Sequence, residues 1–289
     1  MAKSFRKGHA GAAVVRLQEN LIALGYRLPR FGADGTLDEE TLAAAALFRA
    51  ERMLLADPDD VPGVVPAGIV AALEAEMAAQ SAISRPGDYV DARGQHPRSG
   101  LSKSHPHRAW KQITGITLHQ TASLIGERET SWFGVPAHLG ITRAGRVIQL
   151  YNFTDRVNHG RDLDGGDIGI EIDGYFEGVE GNNATLWRPP AEPGRKPLQP
   201  TGEQIEAARQ SVHWIRETVK AFGGRLRYVH AHRQSSKDHQ SDPGSRIWHD
   251  VGVWAQAKLG LSDGGKDFAI GRGLPIPEAW DPRHSGVRY

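Results

Sequence analysis

Apolar residues in this chain change their period once. Up to residue 79 they recur at helical spacing, and from residue 113 they gather in short β-branched runs broken by one long amphipathic stretch. Between the two, residues 80–110 are rich in Ser, Arg, Pro, Gly and His and have little periodic pattern, the composition of a linker. Such a switch predicts two folding units of different class, and a length of 289 residues leaves room for both. The expected layout is a small all-α three-helix domain over 1–79, a linker over 80–110, an α/β mixed-sheet domain with flanking helices over 111–262, and a C-terminal extension over 263–289. The extension is Gly- and Pro-rich and predicts no regular element; it either wraps the surface or stays unordered.

In the first unit, Val14, Leu17, Leu21 and Leu24 mark a helix that stops at Gly25. Asp38 is placed to cap a second helix running to about Arg52, and Pro66 to open a third running to about Met77. In the second unit, Ile113 to Leu118 and Ile168 to Ile172 read as buried strands, and His138 to Tyr151 as a hairpin turning at Arg143–Arg146. Thr201 caps a long helix over Glu203–Phe222 that Gly223-Gly224 ends; a strand over Leu226–His232 and a helix over Ile247–Leu259 follow.

Composition narrows the chemistry. The chain has no cysteine, which removes disulfides, thiolate metal ligands and a Cys nucleophile. It has 13 histidines, so a metal or acid–base site would draw on His, Asp and Glu. With 35 basic and 34 acidic residues the net charge is +1, which argues against a nucleic-acid or anionic-membrane partner. No run approaches the roughly 20 apolar residues of a membrane span. No apolar stretch follows the basic N-terminal residues, so no secretory signal is expected; the protein would be made in the cytoplasm and reach its substrate by lysis or delivery. A monomer is expected.

Polar residues collect at strand ends. His119 follows the Ile113–Leu118 run, His232 follows Arg227–Ala231, and Asp242 comes ten residues after His232. Two imidazoles and a carboxylate with one open position are the ligand set of a catalytic zinc ion, though spacing alone does not join residues this far apart. His230, two residues before His232 and on the same strand face, is the rival ligand. Glu171 alternates with Ile168, Ile170 and Ile172, so it points away from them, toward a cleft floor or toward solvent.

Over residues 113–244 the chain resembles the zinc-dependent N-acetylmuramoyl-L-alanine amidases of the phage-lysozyme and peptidoglycan-recognition type. The resemblance is carried, in family order, by Leu118-His119-Gln120-Thr121-Ala122, by Ala137–Ile141 with Gly145–Gln149, and by Asn158-His159-Gly160. Asp167–Ile172 and then His232 with Ser241-Asp242-Pro243-Gly244 complete it. It implies that His119, His232 and Asp242 bind Zn2+ and that Glu171 is the acid/base beside the metal. It places His159 by the substrate groove, touching substrate or backing the ligands, and Thr121 among the substrate contacts. Two positions depart from the family. Gln240 stands where a Lys often supports the tetrahedral oxyanion, so Gln240, Lys237 or His239 would supply that donor, and Ala231 replaces a Gly.

Residues 8–79 resemble the three-helix peptidoglycan-binding domain attached to many wall hydrolases. Val14, Leu17-Gln18, Leu21, Leu24-Gly25-Tyr26, Asp34-Gly35-Thr36-Leu37, Thr41, Leu47-Phe48, Gly63, Val65 and Leu73 carry this likeness, with Phe48-Arg49 where the family has Phe-Gln. Binding is expected from Tyr26, Arg27, Arg30 and Phe31, read as exposed on the loop after the first helix. The two resemblances together imply a modular peptidoglycan hydrolase, an endolysin or an injected effector. The competing readings are a non-catalytic peptidoglycan-recognition protein and a zinc peptidase cutting within the stem peptide; no His-Glu-x-x-His helix favours the latter.

Overall fold

The computed structural model describes residues 2–52, 54–55, 61–97, 99–186 and 196–280. The last nine residues of the C-terminal extension lie outside this set. The chain divides into two compact units, Met1–Ser84 and Arg85–Tyr289.

The first unit is built on α1 (Ala12–Ala23), α2 (Glu39–Glu51) and α3 (Ala67–Ala82), with a two-residue ladder between β1 (Phe5–Arg6) and β2 (Val64–Val65). Asp38 caps α2 as expected, its carboxylate accepting from the Thr41 backbone N–H at 2.8 Å. Leu17, Leu21, Phe48, Leu73 and their neighbours form one buried cluster. Gln18 is buried among them and cross-links the turn before α2: its amide donates to Asp34, Thr36 O and Thr41, and its carbonyl accepts from Gly35 N at 2.8 Å. Gly35 has φ +83°, which explains the glycine at that turn.

The second unit is a six-stranded mixed sheet. Its strands are β3 (Tyr89–Asp91), β4 (Gly115–Gln120), β5 (Leu139–Ile141), β6 (Val147–Gln149), β7 (Asp167–Ile172) and β10 (Tyr228–Ala231). Their order is β10-β4-β7-β5-β6-β3, parallel throughout except for the β5–β6 hairpin. β3 lies inside the stretch expected to be linker, so that stretch is in part an edge of the sheet. A separate hairpin, β8 (Glu177–Val179) with β9 (Asn182–Leu186), was not legible as strands.

The central strands have two chemically distinct faces. Ile116 and Leu118 of β4 and Ile168, Ile170 and Ile172 of β7 are all fully buried and share one parity. They give α4 (Gly202–Ala221) an apolar surface to cover, and its Ala208, Val212, Ile215 and Val219 are buried in turn. Thr201 and Gln204 form the capping box that starts α4. The opposite parity is polar: Thr117 and His119 on β4, Asp167 and Glu171 on β7. α5 (Ser245–Ile247) runs through a π-helical stretch, Trp248–Val253, into α6 (Trp254–Leu259).

The described part of the C-terminal extension, residues 263–280, packs along the second unit. Ser262 pairs with the β10 edge, Val229 N donating to its carbonyl at 2.9 Å. The segment then crosses to the loop after β10. Ile270 N donates to Gln234 O, Lys237 N to Arg272 O and Leu274 N to Arg233 O, each at 2.8 Å.

Candidate metal centre and acid–base site

The ladder register sets the first relationship in the site. β4 and β7 are parallel with His119 opposite Glu171, so the two side chains stand side by side on the polar face. His119 Nδ1 lies 4.0 Å from Glu171 Oε1. β10 runs on the other side of β4 and ends at Ala231, which delivers His232 to the same end of the sheet. Asp242 arrives from the loop beyond. Its Oδ1 accepts the Gln120 backbone N–H at 2.8 Å, which fixes the carboxylate and turns Oδ2 inward.

Three acceptor-capable atoms converge there. His119 Nδ1 and His232 Nδ1 are 3.0 Å apart, His232 Nδ1 and Asp242 Oδ2 3.0 Å, and His119 Nδ1 and Asp242 Oδ2 3.7 Å. Two donors about 2.0–2.1 Å from a tetrahedral zinc ion stand roughly 3.3–3.4 Å apart, so the three separations bracket the value a zinc site requires. All three residues are buried, and among the described residues this is the group of His, Asp and Glu that could hold a metal ion.

The electrostatics agree with that use. Burial, offset in part by the neighbouring Asp242 carboxylate, pushes the His119 imidazole down to about 4, so the ring is neutral at working pH. Burial would raise the Asp242 carboxyl, but the His119, His232 and His239 rings gathered around it, with His232 at hydrogen-bond distance, outweigh it and hold the group well below the ordinary carboxylate range. Glu171 behaves in the opposite way. Burial first, then the Asp242 and Asp173 charges, push its carboxyl well above the usual value. Its Oε2 is buried and has no hydrogen-bond partner among the described residues. A carboxyl of raised pKa with a free oxygen, beside a metal-type ligand set, is equipped to accept and return a proton.

The other expected site residues fall into three places. His230 is outside the trio: its Nδ1 meets Asp167 Oδ2 at 2.7 Å, and its ring is stacked between Tyr228 and Phe268. His159 is buried, with Nδ1 3.0 Å from His119 Nε2, so it stands behind the His119 ring. The Thr121 hydroxyl is spent on the rim loop, donating to Ser123 O at 2.8 Å and accepting from Gly174 N at 2.9 Å. Lys237 and Gln240 are exposed. The residue of that loop at the centre is His239, whose ring stacks on His232 at 4.0 Å and whose Nδ1 is 3.7 Å from Asp242 Oδ2.

In the first unit, Tyr26 is a correction. It is not exposed: 5% of its surface remains accessible. Its ring packs edge-on against Phe48 and its hydroxyl donates to Glu51, because the loop after α1 folds back over α2. Arg30 and Phe31 are exposed as expected, with the guanidinium 4.9 Å above the ring.

Sequence reading passed over Arg108 and the Asp167 backbone. Arg108 is buried and donates to Asp167 O at 2.7 Å and Asp164 O at 3.0 Å, and burial brings its guanidinium down to about 10. The residue lies in the stretch read as linker, where no periodicity marks it. Asp167 ties several strands together: its carboxylate accepts from Thr117 Oγ1 at 2.8 Å as well as meeting His230.

The second unit thus joins a mixed sheet to a His–His–Asp cluster with a half-buried Glu beside it, the arrangement expected of an amidase-type domain. Residues 109–245 match the N-acetylmuramoyl-L-alanine amidase family, and this segment belongs to it. The chain is similar to a probable N-acetylmuramoyl-L-alanine amidase of Bacillus licheniformis, 38% identical over 52 residues, or 18% of this chain and 15% of that protein. It is similar at the same identity and length to the amidase CwlL of that organism, covering 14% of it. The chain thus aligns with about one seventh of these relatives. Among solved structures, an endolysin amidase, LysCS, from Clostridium intestinale URNW is 14% identical with a TM-score of 0.40, over 62% of this chain and 99% of that one. The Drosophila peptidoglycan recognition protein SA is 15% identical with a TM-score of 0.39, over 57% and 91%.

Proposed function

We propose that the chain is a zinc-dependent peptidoglycan hydrolase that cuts the amide between the N-acetylmuramoyl lactyl group and L-alanine of the stem peptide. The observation that carries this reading is the convergence of His119 Nδ1, His232 Nδ1 and Asp242 Oδ2 beside the Glu171 carboxyl, inside the segment matched to the amidase family.

His119, His232 and Asp242 would hold the ion. When bound, zinc supplies Lewis acidity toward the scissile carbonyl and lowers the pKa of a water toward about 7. Glu171 takes the proton from the attacking water at its carboxylate and returns it to the leaving amine nitrogen; a raised carboxyl pKa suits both halves of that task. The oxyanion needs a hydrogen-bond donor at the mouth of the site, and we assign it to His239 in preference to the exposed Lys237 and Gln240. The first unit would hold the enzyme on murein through Arg30 and Phe31, raising the local substrate concentration without adding a catalytic contact. An endolysin and a delivered effector would use the same reaction. No helix among the described residues is long and apolar enough to cross a membrane.

The reading is tested by incubating the purified chain with murein and analysing the released fragments by mass spectrometry, alongside metal content. One zinc per chain and intact stem peptides with a free L-alanine amine are expected. Shortened stems would instead make it a peptidase. Zinc uptake with no bond cut would make it a recognition protein.

A further inference from the structure

His159 takes no part in the chemistry above, yet its two ring nitrogens have unequal surroundings. Nε2 lies 3.2 Å from the Asp167 carbonyl oxygen and 4.0 Å from Asp164 Oδ1. Both neighbours only accept, so the ring proton sits on Nε2 and Nδ1 keeps its lone pair. That lone pair is 3.0 Å from His119 Nε2. A hydrogen bond between two imidazole nitrogens needs one donor, and His159 Nδ1 cannot be it. His119 therefore carries its proton on Nε2, which leaves the Nδ1 lone pair facing His232 and Asp242.

We propose that His159 is a positioning residue that fixes the tautomer of His119 for metal capture, passing the polarity of the Asp167 carbonyl through one imidazole to the next. A ring nitrogen of a metal-ligating His is set by what the other nitrogen bonds to, and here that partner is a second His held by backbone. The surroundings hold the relay in place. A Cβ at Gly169 would stand 2.6 Å from His159 Cγ, so the ring lies against bare β7 backbone and has one seat. Arg108 Nη2 donates to the same Asp167 carbonyl at 2.7 Å, which pins the head of the chain. His138 accepts the Gly169 N–H on its Nδ1 at 3.0 Å and packs edge-on to His159, closing the far side.

The proposal rests on the metal-centre reading, but its test does not depend on hydrolysis. In the full-length chain, His159→Leu removes the acceptor and His159→Asn offers an amide oxygen near the place of Nδ1. Zinc affinity is measured by chelator competition, and the His119 tautomer by long-range 15N–1H correlation in the metal-free protein. We expect Nε2–H on His119 in the unaltered chain. His159→Leu should weaken zinc binding about 10–100-fold, the usual effect of losing such a partner, and His159→Asn should stay within about threefold. Nδ1–H on His119 in the unaltered metal-free protein overturns the proposal, as does a folded His159→Leu chain with unchanged zinc affinity. Should His159→Leu fail to fold, the tautomer of the parent and the affinity of His159→Asn still decide. An unaltered chain that takes up no zinc strikes the metal-centre reading instead, while the tautomer is read independently.

Discussion

The Gln120 backbone N–H donates to Asp242 Oδ1 at 2.8 Å and joins residues 122 positions apart. The Gln120 side chain reinforces the joint. Its amide donates to Ser241 O at 2.7 Å and its carbonyl accepts from Phe176 N at 2.6 Å. The strand that presents one imidazole thus also orients the carboxylate, and only Oδ2 is left to face the two rings. A carboxylate placed by a central strand is held more rigidly than one placed by its own loop, as a metal site requires.

His119→Ala and Asp242→Ala should each reduce bound zinc from one per chain to near zero and abolish murein cleavage, because a site short of one of three protein ligands binds weakly. Atomic emission on the dialysed protein checks this. Full metal occupancy in either variant would refute the ligand assignment. In the parent, removing zinc should lower the melting temperature: at a thousandfold excess over Kd, binding adds about 4 kcal/mol to the folded state.

Glu171→Gln should keep zinc and lose about 100-fold or more in rate, the size of a general acid–base contribution. Gln matches the carboxyl in shape and removes a charge that burial, Asp242 and Asp173 all disfavour, so folding should be preserved. Steady-state rates of fragment release, normalised to bound metal, separate this from a metal defect. A near-normal rate would mean that another group moves the proton.

How much of this was legible varies with the range of the interaction. Strand β7, helix α4 with its Thr201 cap and the α2 cap at Asp38 were readable, because each depends on residues within one or two turns. The His119, His232 and Asp242 trio was readable as residue types but not as a cluster, since its geometry comes from the β10-β4-β7 order, which no local pattern encodes. Tyr26 was misread because an aromatic after a helix-ending glycine suits an exposed loop, and its partners Phe48 and Glu51 sit on the next helix. β3 and Arg108 were lost in the presumed linker. Their neighbours are Pro- and Gly-rich, and both are held by distant backbone: β3 by β6, and Arg108 by the carbonyls of Asp164 and Asp167.

Ending the chain at Ser262 should weaken zinc binding about tenfold and lower the melting temperature, because the extension holds the loop between His232 and Asp242 from outside. Arg233 is the anchor: it donates to Pro275 O at 2.9 Å, reaches Gln240 O, and lies 5.0 Å from the Trp280 ring centre. Gly273→Val offers a second way to lift the segment, as a Cβ there would meet Gln234 O at 1.9 Å. Chelator competition on both chains checks the effect. Affinity within twofold of the parent in both would show that the loop holds itself.

The metal-free protein should lose stability steeply as pH falls from about 6.5 toward 4.5. Burial holds His119 at about 4 and His138 at about 3, and keeps His159 well below the ordinary value. A base with a depressed folded pKa contributes fully above its unfolded value near 6.5, and loses that contribution as pH drops, since the unfolded chain takes up protons that the folded chain refuses. Glu171 opposes this. Its raised folded pKa lets the folded chain keep a proton that the unfolded chain has released above about 4.5, so its contribution is lost as pH rises. Asp164 and Asp173, whose carboxyls burial also raises, oppose the imidazoles in the same way at the acid end, so the rise in stability with pH is carried by the imidazoles toward pH 6.5, at about 1.4 kcal/mol per pH unit for each unbalanced proton. Urea unfolding of the metal-free chain at a series of pH values measures the slope. Glu171→Gln should steepen it between pH 4.5 and 6.5 and remove the decline on the alkaline side. A stability that stays flat across pH 4.5–6.5 would mean that these rings are charged in the folded state, and the neutral-ligand arrangement around His119 would fall with it.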